Sequence, residues 1–247
     1  MAIVTTALVL HRVKLGEADQ ILTLLSPELG VVSASARGSL RLKNKLFHGC
    51  GLFCYTEFTL ASGRTQYFVE SAEVQRVFHG LSASIEAMGV AQYLAEVATR
   101  LAPAPPDAAP QLRLLLNCLH LLAEQKRPPR QIKAIYELRA LSLSGYQPDL
   151  LACASCGRYE GGAFYFDVQE GHLLCGDCAQ NANRRPNLDP GALHALRHIC
   201  LVEDARLFAF QLKPQSLQLL SKAAESYLLA HLEEQPKSLG FVRTVLE

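Results

Sequence analysis

No stretch of this 247-residue chain approaches the about 18 uninterrupted apolar residues that cross a bilayer, so no membrane span is expected. The opening segment, MAIVTTALVLHRVK, has no basic residue ahead of its short apolar run, so it reads as a first strand and not as a secretory leader. The phosphate-cradling G-x-x-x-x-G-K-[ST] loop is missing, which argues against an ATP-driven motor or recombinase. Neither the G-x-S-x-G elbow of serine hydrolases nor the H-E-x-x-H of zinc proteases occurs. Internal repeats and low-complexity tails are absent too. A formal net charge of +1 gives no global pull toward nucleic acid, so the charges have to be read by position. The 49% apolar and 19% charged content describes a soluble globular chain, long enough for two domains.

Cysteine, by contrast, is plentiful and patterned. Cys153, Cys156, Cys175 and Cys178 follow C-x2-C-x18-C-x2-C, the spacing with which two thiolate pairs close a tetrahedral zinc site. Gly157 and Gly176 sit where the chain must turn back toward the metal. Between the pairs, residues 163–168 and 172–174 read as two short strands joined at Glu170-Gly171, the plan of a zinc ribbon. Two disulfides would need an oxidising compartment, and a redox C-x-x-C would lie between a strand and a helix instead of flanking a hairpin. Four thiolates leave no open coordination position, so one Zn2+ in a structural role is expected. Cys50, Cys54, Cys118 and Cys200 lie among apolar neighbours and read as buried thiols in a reducing cytoplasm.

Residues 3 to about 78 carry five segments of strand length with β-branched or aromatic weight: 3–13, 20–25, 30–35, 53–60 and 66–69. Five short strands suit a small closed barrel of the oligonucleotide-binding type; a small sandwich or an SH3-like barrel is the alternative. From Leu81 the period becomes helical. Leu81, Ile85, Met88, Ala95, Ala98 and Leu101 share helical spacing up to the break at APAPPDAAP, residues 102–110. Helices are expected over 112–122 and 132–143, then from an Asp189-Pro190 cap, from Pro214, and over 239–246. The fold class expected is α+β: residues 1–80 a five-stranded barrel, residues 81–247 an all-helical domain with the ribbon inserted at about 151–180.

No acidic residue falls between Glu28 and Glu57, yet Arg37, Arg41, Lys43 and Lys45 do. Beside a barrel's ligand face such a run is a candidate for tracking phosphates; the plain alternative is a solvated loop. In an extended chain Arg41, Lys43 and Lys45 would share one side, with Leu40, Leu42, Asn44 and Leu46 on the other. Lys126, Arg127, Arg130 and Lys133 form a second acid-free group around a Pro-Pro turn, and Arg184-Arg185 a third. His194 and His198 are four apart on a helix, but no third ligand stands nearby, so an ordinary amphipathic helix accounts for them. Glu17 and Asp19 belong to a turn. Phe47, Phe53 and Tyr55 are the aromatic candidates for stacking bases.

Four stretches taken together resemble the RecO family of bacterial recombinational repair: GEADQILTLLSPELGVVSASARG at 16–38, RLKNK at 41–45, ELRALSLSGYQPDL at 137–150 immediately before CASCG, and PKSLGFVRTVL at 236–246. The resemblance implies an oligonucleotide-binding barrel, a helical C-terminal domain and a zinc ribbon held by the four cysteines. It also implies a mediator and not an enzyme, one that binds single- and double-stranded DNA and anneals complementary strands. With RecR, such a protein helps RecA load onto DNA coated by the single-stranded DNA-binding protein. The cations after ARG carry over as Arg37, Arg41, Lys43 and Lys45, with Arg184 and Arg185 as an extension. Leu40, Leu42 and Leu46 depart from the denser basic composition expected of the run. The family also takes the acidic, apolar tail of the single-stranded DNA-binding protein on its helical domain, for which Lys126, Arg127, Arg130 and Lys133 are the expected cations. The competing reading is a zinc-ribbon protein-interaction module without direct DNA binding.

Overall fold

The computed structural model describes residues 2–102 and 107–247. Residues 103–106, the centre of the expected proline break, lie outside the described part. The chain divides into two compact units, residues 1–126 with 240–245, and residues 127–239 with 246–247.

In the first unit, strands β1 (Ala2–Leu15), β2 (Asp19–Ser26), β3 (Gly30–Ala36), β4 (Tyr55–Ser62) and β5 (Tyr67–Arg76) close a barrel in the order β1-β2-β3-β5-β4. Closure comes from a short parallel seam, Ala34 opposite Tyr67 and Ser35 opposite Phe68, and from β1 pairing antiparallel with both β2 and β4. The period-2 pattern explains the inside: Ala7, Val9, Leu22, Leu24, Ala34, Ala36, Phe58, Leu60 and Val69 form one buried cluster. Leu8, Leu10 and Leu25 point the other way and are buried as well. They are covered because helix α1 (Ile85–Leu101) packs on β1 and α2 (Ala109–Ala123) on β2. Helix α1 opens on Ser84, whose hydroxyl accepts from the Ala87 N–H at 3.2 Å. Helix α7 (Leu239–Leu246) meets α1 where Gly89 leaves room for the Phe241 ring.

The fourth strand starts two residues later than the composition suggests. Phe53 takes a left-handed φ of 59°, and Phe53 and Cys54 exchange backbone hydrogen bonds with Val9, both 3.0 Å, before β4 begins at Tyr55.

The second unit is built around α3 (Pro129–Leu143), which is buried along nearly its whole length and packs on α6 (Pro214–His231) and α5 (Pro190–Leu201). The expected Asp189 cap forms: its carboxylate accepts from the Ala192 N–H at 2.7 Å and from the Ser216 hydroxyl at 2.7 Å. Leu217, Leu220, Ala224 and Tyr227 line the buried face of α6, as their spacing predicts. The ribbon is a sheet of three strands in the order β6-β8-β7, from β6 (Asp149–Cys153), β7 (Phe164–Asp167) and β8 (His172–Cys175), followed by the short helix α4 (Gly176–Asn181). The hairpin and its turn are where composition puts them, with Gly171 at φ +68°. Strand β6 and helix α4 are additions.

Candidate nucleic-acid interface and metal centre

The cysteines converge. Strand β6 delivers Cys153, the turn after it Cys156, the end of β8 Cys175 and the first turn of α4 Cys178. The turn closes through the Gly157 N–H donating to the Cys153 carbonyl at 2.9 Å, with Gly157 at φ +72°. All four Sγ atoms lie within 4.8 Å of one another, and Cys156 and Cys175 are 3.6 Å apart. A tetrahedron with metal–sulfur bonds of about 2.3 Å has edges of about 3.8 Å, so the donor set fits one such ion, whereas a disulfide needs about 2.05 Å. Burial pushes the Cys153 thiol up, but the N–H groups of Cys175, Cys156 and Ser155 overcome it and bring the pKa down to about 6. For Cys178 the Ser155 hydroxyl lowers the pKa, while the hydrogen bonds to Cys175, Cys156 and Cys153 raise it to about 12.

The basic run lies in the β3–β4 connection, residues 37–54, and its shape differs from expectation. The chain does not extend there. It coils in successive turns, Arg41 N–H to Gly38 carbonyl (3.0 Å), Asn44 to Arg41 (2.9 Å) and Phe47 to Asn44 (3.0 Å), while the Asn44 side chain accepts from the Leu46 N–H at 2.9 Å. A three-residue step replaces the two-residue alternation, so the predicted division of sides fails: Leu42 is 79% exposed among the cations, and Leu46 is 5% exposed in the barrel core. Leu46, Cys50 and Cys54 insert into the core cluster, so the connection plugs the barrel end and is anchored from below. It is also pinned sideways. Gly38 N–H donates to Asp19 Oδ1 at 2.7 Å, Leu40 N–H to the Ala18 carbonyl at 2.9 Å and Gln20 Nε2 to the Cys50 carbonyl at 3.3 Å. Asp19 is thus spent on holding the loop and forms no carboxylate pair with Glu17. Arg37, Arg41, Lys43 and Lys45 all remain exposed. Among the described residues none of the four has an ion-pair partner.

The comparisons with known proteins bear on the whole chain. Residues 1–78 match the family model described as Recombination protein O N terminal, and residues 82–240 the one described as Recombination protein O C terminal. The chain belongs to the RecO family. It is 32% identical to the DNA repair protein RecO of Acetivibrio thermocellus, over 98% of this chain and 96% of that protein. It is 30% identical to the namesake protein of Symbiobacterium thermophilum, over 93% and 92%, and 29% identical to that of Dehalococcoides mccartyi, over 95% and 92%. The resemblance seen in the sequence therefore holds, and the chain is a RecO-family DNA repair protein.

The remaining candidates of this RecO-family chain fare unevenly. Lys133 is not available at the surface: it is 2% exposed, 2.7 Å from both Glu137 of the same helix and Glu225 of α6. Arg127 donates to the Phe208 carbonyl at 3.4 Å and Arg130 to the Leu246 carbonyl, each half-buried. Lys126 is 57% exposed, 3.4 Å from Glu124 in the first unit. Arg184 and Arg185 are exposed, and Arg184 lies over the Tyr165 ring of β7 at 5.9 Å. Of the stacking candidates, Phe53 is buried at 3%, Phe47 lies edge-on to His48 at 5.3 Å, and Tyr55 is half-buried on β4. Phe68, with the Arg37 guanidinium 5.3 Å above its ring, went unnoticed in the sequence. His198 bonds to the Arg206 carbonyl at 2.9 Å and meets the Phe210 ring edge-on at 5.1 Å, a structural role in keeping with the helix reading. No helix of the described residues is long and apolar enough to cross a membrane.

Sequence reasoning also missed Arg197 on α5, which is 6% exposed. Its guanidinium donates to the carbonyls of Leu150 (2.7 Å), Leu151 (3.1 Å) and Tyr159 (2.9 Å), lies 4.3 Å from the Tyr159 ring centre and 5.9 Å from that of Phe164. It clamps both ends of the loop carrying Cys153 and Cys156. All its hydrogen-bond acceptors are main-chain, so no residue type in the sequence points to it.

Proposed function

We propose that this protein is a DNA-binding recombination mediator whose nucleic-acid work is done by residues 1–80. The observation that carries the reading is the β3–β4 connection: four exposed cations, none with an ion-pair partner among the described residues and no acid among them, on a loop anchored in the barrel core. Such a surface neutralises phosphates without reading sequence, so it takes both single- and double-stranded DNA. Two strands held with their charge partly screened can approach and pair, which is how annealing would follow. Family membership supports the further assignments: RecR as partner, the tail of the single-stranded DNA-binding protein as a docking target, and RecA loading as the outcome.

The four-cysteine centre is assigned one Zn2+ in a structural role, because four sulfurs fill a tetrahedron and leave no position for water or substrate. When bound, the ion supplies charge balance and a cross-link between β6, β8 and α4. Of the expected tail-binding cations Arg127 and Arg130 are kept, since Lys133 is internally paired and Lys126 belongs to the first unit. Charge reversal at those two positions should weaken binding of the acidic tail peptide, and unchanged affinity removes the assignment. Arg184 and Arg185, exposed on the second unit, are retained as DNA-contacting candidates in their own right.

The decisive test is fluorescence anisotropy of a labelled single strand, with a matching duplex beside it, at several salt concentrations. Binding of both that weakens linearly in log salt, and is lost on changing Arg41, Lys43 and Lys45 to Glu, is the expected result. Flat anisotropy at low salt refutes it and leaves a protein-interaction module.

A further inference from the structure

We propose that the overhanging end of β1, through Arg12 and Lys14, forms a second wall of the nucleic-acid site and holds phosphates of the same single strand that lies on the basic loop. This deepens the DNA-binding reading and rests on it. Strand β1 is longer than the barrel needs. Its pairing with β4 ends at Leu8 opposite Tyr55, whereas its pairing with β2 runs on to Leu15 opposite Asp19. Residues 11–15 therefore stand out as a two-stranded ribbon, exposed at every position, with no strand on their other edge among the described residues.

Lysines and arginines on such an edge commonly serve only to discourage edge-to-edge pairing. What sets Arg12 and Lys14 apart is the face they occupy. Residues directly opposite across a ladder share a face. Arg12 is opposite Leu22, a core residue, and Lys14 is opposite Gln20, whose side chain reaches the Cys50 carbonyl. Both cations thus leave the strand on the side covered by the β3–β4 connection. The thiol of Cys54, at the end of that connection, gives an independent sign: burial raises it, and the charge of Arg12 is near enough to oppose the rise. Two residues of extended strand span about 6.6 Å, so Arg12 and Lys14 make a short row beside the loop that carries Arg37, Arg41, Lys43 and Lys45. Neither has an ion-pair partner among the described residues. The hydrogen bonds from Leu40 to Ala18 and from Gly38 to Asp19 fix loop and ribbon tip to each other, so six cations are presented on one rim of the barrel.

The test uses the full chain and labelled oligo-dT. Each phosphate neutralised on a single strand contributes about 0.7 to the slope of log affinity against log salt, so Arg12→Gln with Lys14→Gln should lower that slope by roughly 1.4. Lys213→Gln with Lys222→Gln removes the same charge from exposed positions of the second unit and should leave the slope in place. A slope unchanged in the β1 variant, or lowered equally by the control pair, overturns the second wall. If the wild type binds and loses affinity on changing Arg41, Lys43 and Lys45 to Glu, while the β1 variant behaves as wild type, only this inference falls. A wild type that fails to bind overturns the DNA reading itself.

Discussion

Replacing Lys133 by Met should be among the most damaging single changes in the second unit, although the side chain is nearly the same length. The ammonium is 2% exposed and lies 2.7 Å from Glu137, which is fully buried, and 2.7 Å from Glu225, which is 18% exposed. Methionine fills the space, so no cavity is created, and the cost is electrostatic. Both carboxylates lose their ammonium neighbour at 2.7 Å, and Glu137 does so at a site that is fully buried. Breaking a buried ion pair from one side costs about 3–5 kcal/mol, and for a chain of this size that corresponds to a fall in Tm of roughly 6–20 °C. Chemical unfolding followed by circular dichroism measures it. The companion variant, Lys133→Met with Glu137→Leu, removes the buried carboxylate as well; Glu225 is 18% exposed, so most of the stability should return, to within about 2 kcal/mol of the wild type. A single-variant cost below about 1 kcal/mol would mean that the triad is solvated like a surface pair. A double variant no more stable than the single one would mean that Lys133 acts by packing alone. Either result refutes the buried-triad account. DNA affinity should be the same in all three proteins.

Removing the metal by chelation, or changing Cys153 to Ser, should loosen the ribbon; metal sites of this kind contribute about 10–16 kcal/mol in isolated peptides, and analysis of the purified chain should find one zinc per molecule. Single-strand affinity should survive the loss of metal, and a parallel loss would make the ribbon part of the DNA surface. Changing Arg197 to Met removes three charge-assisted hydrogen bonds to the metal-binding loop, so metal release to a chelator should quicken and stability fall by about 3–5 kcal/mol; Lys, lacking the planar fork, should not restore either. The Glu28 carboxyl is held below its ordinary pKa chiefly by the Thr5 hydroxyl, 2.6 Å away, and also by Ser26. A lowered folded-state pKa gives stability that is present above the unfolded value and lost as pH falls through the folded one, so the wild type should lose more than Glu28→Gln between about pH 5 and pH 3. Parallel pH profiles would show that Glu28 contributes nothing to acid stability.

What could be read in the sequence was what depends on local period or local spacing. Five strands announced themselves by their length and β-branched or aromatic weight, the Asp189 cap by its Pro190, and the metal centre by two C-x-x-C pairs, because a tight turn is a local object. Strand β6 was invisible because its order comes from pairing with β8, some twenty residues on, at Asp149–His172 and Cys153–Leu173. Lys133 looked like a surface cation because its second partner, Glu225, is 92 residues away on another helix. In the loop, residues 41–45 satisfy a two-residue alternation on paper, and only the turn hydrogen bonds and the anchoring of Leu46 in the core decide for a three-residue step.

The near-zero net charge, the strongest point for a protein-only partner, loses its force once the charges are placed on the barrel. At physiological salt a surface charge is felt over about 8 Å, so a polyanion responds to the patch it meets and not to the total. Of the acids that balance the rim, Asp19 sits at its edge, bonded to the Gly38 N–H, and others are elsewhere on the same barrel. Glu57 of β4 and Glu73 of β5 stand directly opposite each other, flanked along the strands by inward-facing Thr56 and Phe58, so their carboxylates share the outer face of that pair. Like charges opposed across a ladder are destabilising by up to about 1 kcal/mol, a cost the fold tolerates there and nowhere along the basic connection. The result is a barrel with one acidic side wall and one basic rim. On the proposed DNA-binding reading, a strand would be repelled by the first and drawn to the second, so charge separation within the barrel would orient the ligand where net charge could not.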